Sequence, residues 1–255
     1  MLAVERLGDS CETEPMGVEF KNPHNDRGLR RIDRPRDVKS YAAPLQYQSW
    51  IEQIEGAVRV GVPLLVHRRC AEPMFGISNS VAYAGKMVQA KPAMPSRVRN
   101  ALGPSRWLHV SDIGSGKWCP AEGQIIERTL RTLVSQGLSD PDVFVITPFR
   151  IVARHMREML AVSDVVRSIT DRPWEWVRDR VGTIHTFQGR EAEAVFLVLG
   201  APDASQTGAR NWAGHPPNLA NVAVSRAKEV LYVVGNRELW RMHGSFRAVN
   251  DGLPT

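Results

Sequence analysis

Between residues 181 and 200 the sequence VGTIHTFQGREAEAVFLVLG gathers polar chemistry into one short connection. Thr183, His185, Thr186, Gln188, Gly189, Arg190 and Glu191 sit between two apolar runs. Hydroxyls and backbone amides bind phosphate oxygens. A glycine lets a ligand come close to the main chain, and a carboxylate can hold a ribose hydroxyl. An ordinary polar connection has much the same composition, so this segment alone leaves both readings open.

A second segment, NLANVAVSRAKEVLYVVGN at 218–236, carries Arg226 among Ala223, Val224, Ser225 and Ala227. An arginine in such company needs a partner, because an unpaired buried charge is costly. That partner is either a structural ion pair or a phosphate. A third segment, VPLLVHRRCAEPMFGISNSVAYAGKMV at 62–88, ends an apolar run in His67, Arg68 and Arg69. Paired arginines at the end of a strand suit a nucleotide site; a solvated loop is the plainer reading.

These segments need elements to position them. The runs 62–66, 106–110, 143–147, 181–184, 194–200 and 230–235 are short and rich in Val, Ile and Leu. Several are apolar throughout, the pattern of strands buried on both faces of a parallel sheet. Between them, Glu122 to Ser135, Arg150 to Leu160 and Asn218 to Glu229 read as helices. Strand and helix alternating at this spacing predict an α/β domain with a mainly parallel sheet. Ligands in such folds sit beyond the carboxyl ends of strands.

Composition narrows the class. The chain has 255 residues, 43% hydrophobic and 24% charged. That is ordinary for a globular protein and excludes wholesale disorder, collagen-like repeats and a disulfide scaffold. The net charge is +6, and only six of the 33 basic residues are lysine. Arginine suits bidentate phosphate contacts. Three cysteines, Cys11, Cys70 and Cys119, form no CxxC pair, which suits a reducing, cytoplasmic compartment. The apolar run at the N-terminus breaks after Val4, unlike a signal peptide. No apolar stretch approaches the ~20 residues of a membrane span, so no membrane partner is expected. The seven histidines have no paired spacing, and no metal site is expected.

Residues 1–60 differ from the rest. Their periodicity is poor, and KNPHNDRGLRRIDRPRD is polar and basic. They read as a poorly ordered or truncated N-terminal segment, with one short helix near Gln46 to Glu55; a nucleic-acid-contacting arm is the sharper alternative. Residues 61–245 read as the domain and 246–255 as a tail. Trp107, Trp118, Trp174, Trp176, Trp212 and Trp240 are spread out and read as packing or surface aromatics. Trp174 and Trp176 also neighbour arginines, which would suit base stacking.

Taken in order, the three segments resemble the second RecA-like domain of superfamily 1B helicases, the group that includes the nonsense-mediated-decay helicase, and look closest to its bacterial relatives. VGTIHTFQGREAEAVFLVLG resembles motif V, and NLANVAVSRAKEVLYVVGN resembles motif VI. VFVITPFR resembles the strand-Thr-Pro-aromatic motif, and LLVHRRCAEPMFGISNSVAYAGKM the motif around Gln-Tyr-Arg. The resemblance covers roughly residues 60–242. It implies a RecA-like three-layer domain, a mainly parallel sheet flanked by helices.

The resemblance also implies roles. Arg226 and Arg69 would reach the γ-phosphate of ATP bound with Mg²⁺ between two RecA-like domains. Gln188, Gly189 and Glu191 would line the nucleotide, and Arg68 stands where an adenine-stacking tyrosine is usual. Thr147, Thr183, Thr186 and His185 would face single-stranded DNA or RNA. His67 and Arg68 replace Gln and Tyr, and His185 replaces a common Asp. The phosphate loop GxxxxGK[ST] is absent, IGSGKW at 113–118 being its nearest match, and no Asp-Glu dipeptide occurs. Half of an ATP site is therefore expected, completed by a first RecA-like domain in cis or in trans. The alternative is a non-catalytic nucleic-acid-binding or adaptor module derived from a helicase.

Overall fold

The computed structural model describes residues 65–187, 189–215 and 218–254. The basic N-terminal segment and the helix expected near Gln46 to Glu55 lie outside them, as does Gln188. The chain divides into two compact units, whose described parts are residues 65–66 with 82–88, and 67–81 with 89–187, 189–215 and 218–254. Within the smaller unit Val88 N donates to Leu65 O (2.6 Å) and Lys86 N to Tyr83 O (3.0 Å).

The elements in chain order are β1 (Val66–His67), α1 (Met74–Tyr83), β2 (Val88–Gln89), α2 (Arg97–Leu102), β3 (Arg106–His109), α3 (Pro120–Ser135) and β4 (Val143–Thr147). Then come α4 (Arg150–Ala161), α5 (Asp164–Ile169), α6 (Pro173–Arg180), β5 (Val181–Thr183), a 3-10 turn (Ile184–Phe187) and β6 (Ala192–Val198). The chain continues through α7 (Thr207–Gly214), α8 (Asn218–Ser225), β7 (Ala227–Gly235), α9 (Arg237–Trp240) and α10 (Phe246–Gly252).

Five strands form one sheet in the order β3-β7-β6-β4-β5, and every neighbouring pair is parallel. The all-apolar runs account for this. All five residues of β4 are buried, as are all of β7 except Lys228. Connections between parallel strands are right-handed. The steps β3 to β4 and β4 to β5 move one way along the sheet, so α3 and α4 share a face. The steps β5 to β6 and β6 to β7 move back, placing α7 and α8 on the other face. This is the three-layer arrangement of a RecA-like domain.

The expected helix at 150–160 matches α4, which buries Val152, Met156 and Leu160. The helix expected to run from Asn218 to Glu229 is shorter. It stops at Ser225, and Ala227 already pairs with Ala192 of β6. Local helical pattern yields here to the ladder, since Ala192 N donates to Arg226 O (3.0 Å). The segment read as a tail is also part of the domain. In α10 Phe246 and Val249 are buried, Leu253 follows, and Trp107 N donates to Pro254 O (2.7 Å) on the edge strand β3. Four apolar residues in a polar segment were too few to signal this packing.

Trp240 is fully buried; its indole N–H donates to Gly200 O (2.9 Å) and its ring meets Phe246 edge-on at 4.7 Å. Trp240→Phe leaves that carbonyl without its donor, a loss of about 1–3 kcal/mol. Urea unfolding of the variant should show a lower midpoint with an unchanged slope.

Candidate functional site

The residues singled out in the sequence fall on two opposite edges of the sheet. Arg226 and Glu191 lie where β7 and β6 begin, at their amino ends. The 3-10 turn and Gly189 carry the chain from the carboxyl end of β5 back to the start of β6. Thr147 and Thr183 are register partners at the carboxyl ends of β4 and β5. The expectation that ligand residues gather beyond carboxyl ends therefore holds for one set only.

At the amino edge Arg69 Nε lies 3.6 Å from Glu191 Oε1. Ala71 N donates to Lys228 O (3.0 Å), which ties the segment after Arg69 to the start of β7. Arg226 is buried: Nε donates to Val222 O (3.1 Å), Nη1 to Arg190 O (3.0 Å) and Nη2 to Ser225 Oγ (3.3 Å). The guanidinium thus clamps the loop that precedes β6 to the end of α8. Arg68 is exposed. His67 is turned inward, with Nε2 3.0 Å from Cys70 Sγ and the ring 5.4 Å from Phe75. Nε2 accepts from Cys70 N (3.3 Å). Burial lowers the His67 pKa, with nearby Arg69 acting in the same direction. Burial also pushes the Cys70 thiol up to about 12. A thiol held protonated is a poor nucleophile, so this pair is packing.

At the carboxyl edge the expected contacts sort differently. Thr183 Oγ1 lies 3.2 Å from Thr186 Oγ1, and Thr186 and His185 are exposed. Thr147 is only 1% exposed, and its Oγ1 accepts from Phe149 N (3.3 Å). Its hydroxyl shapes the turn into α4 and does not face a ligand. Gly189 adopts φ +86°, a conformation that side chains rarely take. A Cβ on Gly182 would meet Thr186 Cβ at 2.9 Å, so Gly182 lets the 3-10 turn fold back on β5.

Other expectations resolve as structure. On α4, Arg157 Nε donates to Val181 O (2.7 Å), and Arg154 pairs with Glu158. Trp176 is buried and donates to Asp140 Oδ1 (3.1 Å), whereas Trp174 is exposed. Ser115 and Trp118 form a β-bridge, so IGSGKW is a closed turn. Among the described residues no cluster of His, Cys, Asp or Glu is suited to a metal, and no helix is long and apolar enough to cross a membrane.

Two residues without any motif signal support the carboxyl edge. Glu122 is fully buried, and its Oε2 accepts from Gly200 N (2.9 Å) at the end of β6. Burial pushes its carboxyl up to about 8, against the Gly200 hydrogen bond. Arg210, also buried, donates to Ala201 O (2.9 Å), Asp203 O (2.7 Å) and Ala204 O (2.8 Å), fixing the loop after β6. Each sits in a sequence of ordinary helical texture, so only the fold shows its partner.

No curated protein matches the chain. A family model described as an AAA domain matches residues 48–238, well over half of the sequence. With the all-parallel sheet and the loop that crosses from β5 to β6 already in view, this match is decisive: the chain belongs to that AAA domain family and carries a helicase-like domain.

Proposed function

We propose that the chain is the second, C-terminal RecA-like motor half of a superfamily 1 ATP-dependent DNA or RNA helicase. The observation that carries this reading is the convergence of Arg69, Glu191 and Arg226 at the amino ends of β6 and β7. On the opposite edge Thr186 and His185 supply exposed polar groups, and half-buried Thr183 a third, for a nucleic-acid backbone. The domain would thus link a nucleotide face to a strand face through one loop.

ATP fits the first set in part. Arg69 and Arg226 are cations that offset charge developing on a transferred phosphoryl group. Glu191 holds Arg69 in place and can accept from a ribose hydroxyl, with Arg68 beside it for the base. Gly189 belongs to the same loop, and Gln188 precedes it in sequence. Mg²⁺ does not fit: the donor set is cationic, and the acidic motif for it is missing from the sequence. A first RecA-like domain, in cis or in trans, supplies the phosphate loop and the metal carboxylate in this reading. Closure of the two halves would bring the arginines onto the phosphate and change the grip of Thr183 and Thr186 on the strand. The cytoplasm, with its reduced thiols and nucleic acids, is the setting this reading implies.

The test is phosphate release. The chain mixed with a phosphate-loop RecA-like domain of a superfamily 1 helicase should hydrolyse ATP in the presence of single-stranded DNA, and neither part should do so alone. Arg69→Ala sharpens it. Arg69 is 58% exposed, and surface ion pairs contribute little to stability. The variant should therefore melt like the parent while turnover by the mixture falls about 100-fold. Equal turnover in parent and variant would remove Arg69 from the site.

One observation favours a second reading, a non-catalytic nucleic-acid-binding or adaptor module. The Arg226 guanidinium is already engaged by Val222 O and Arg190 O. If hydrolysis never appears with the added domain while single-strand binding persists, the adaptor reading stands.

A further inference from the structure

The geometry points to a nucleobase-stacking platform on Trp212, in the crevice outside the carboxyl ends of β4 and β6; this inference rests on the nucleic-acid reading above. Between these two strands the sheet order reverses. The connection from β4 leaves on one face and that from β6 on the other. Such a switch point opens a crevice at the carboxyl edge, where ligands bind in open α/β sheets.

An aromatic stack occupies that place. Phe149, just after β4, and Trp212 of α7 stack at 5.9 Å with 29° between their planes. Phe149 is 5% exposed and Trp212 is 54% exposed. Phe149 is therefore the backing and Trp212 the surface. Lys117 Nζ lies 4.6 Å from the Phe149 ring centroid, and exposed Arg150 follows Phe149 in sequence. Trp118, next to Lys117, stacks on His155 at 5.6 Å. An exposed aromatic ring beside cations is the combination that binds a single strand, the ring taking a base and the cations the phosphates.

The platform is held rigid. Arg210, two residues before Trp212, clamps the loop after β6 by three main-chain carbonyls. Asn211 Oδ1 lies 2.6 Å from His243 Nδ1. A ring fixed before binding loses little freedom when a base stacks on it, so its contact area converts into affinity. Isolated exposed aromatics are common and carry no meaning alone. Here the ring has a buried aromatic backing, a lysine over that backing and a place at the sheet's switch point. Because every base has a π-face, the platform takes single strands without strict sequence preference.

The experiment compares two labelled strands of about 15 nucleotides, one of oligothymidine and one abasic with the same backbone, by fluorescence anisotropy at low salt. The full chain should bind oligothymidine roughly five- to 100-fold more tightly than the abasic strand. Trp212→Ala should bind oligothymidine at the abasic level, and Trp212→Phe should retain most of the preference. Since Trp212 is 54% exposed, the alanine variant should stay folded at the assay temperature, its melting temperature lowered only by the lost stack on Phe149. A preference that survives Trp212→Ala, or equal binding of both strands by the parent, overturns the platform and leaves the nucleic-acid reading intact. Failure of the parent to bind either strand overturns both.

Discussion

Arg226→Ala is expected to lower ATP turnover by the chain combined with a first RecA-like domain about 10³-fold or more, the scale of an arginine finger. Two contributions must be separated, because this guanidinium also holds Val222 O and Arg190 O. Removing it takes one donor from each of these two partly buried carbonyls, about 0.5–1.5 kcal/mol apiece. That loss lowers a melting temperature but does not by itself slow phosphoryl transfer in molecules that remain folded. Turnover per folded molecule, with the folded fraction read from circular dichroism, isolates the chemical effect. Arg226→Lys extends the comparison: an ammonium restores positive charge but lacks the planar fork, so turnover should stay low while part of the stability returns. Turnover that follows only the folded fraction would make Arg226 a clamp for the loop before β6 and nothing more.

The second large effect concerns Glu122. Its carboxyl is held near 8 in the folded chain, against an ordinary value of 4.5. The folded state therefore keeps a proton that the unfolded state releases above pH 4.5. Stability from this group is complete below the unfolded value and is lost as pH rises through about 8. At about 1.4 kcal/mol per pH unit the loss amounts to a few kcal/mol. In a domain of this size that corresponds to a fall in melting temperature on the order of 10 °C. Glu122→Gln keeps an oxygen for Gly200 N and carries no ionisable group. Its melting temperature should change far less between pH 5 and 8.5, and it should exceed the parent at the alkaline end. A parent curve that is flat, or that rises over this range, would show that Glu122 is ionised within the fold.

Contacts link the same carboxyl to the proposed strand face. Glu122 fastens α3 to Gly200, Gly200 O accepts from Trp240, and Trp240 lies 6.3 Å from Phe149. Phe149 is the backing of Trp212. These contacts run from α3 to the backing of Trp212 and include neither Arg69 nor Arg226.

What the sequence determined by itself was what depends on local pattern. The apolar runs of β4, β6 and β7 announced a buried parallel sheet because both faces of each strand are covered, so nearly every residue is apolar. Helices α3 and α4 were readable because one face of each packs and the other is wet. The segments at 181–200 and 218–236 stood out through their resemblance to helicase motifs, not through composition, which an ordinary polar connection shares. Tertiary structure decided the rest. Helix α8 ends at Ser225 because the next residues join a ladder with β6, a long-range pairing no local window contains. Thr147 turned out to be buried although its motif reads as a contact. Trp212 and Trp240 are the same residue type in equally unremarkable sequence. One is an exposed platform and the other a sealed core ring, because the crossings of the sheet place one at its open crevice and the other against Gly200 and Phe246.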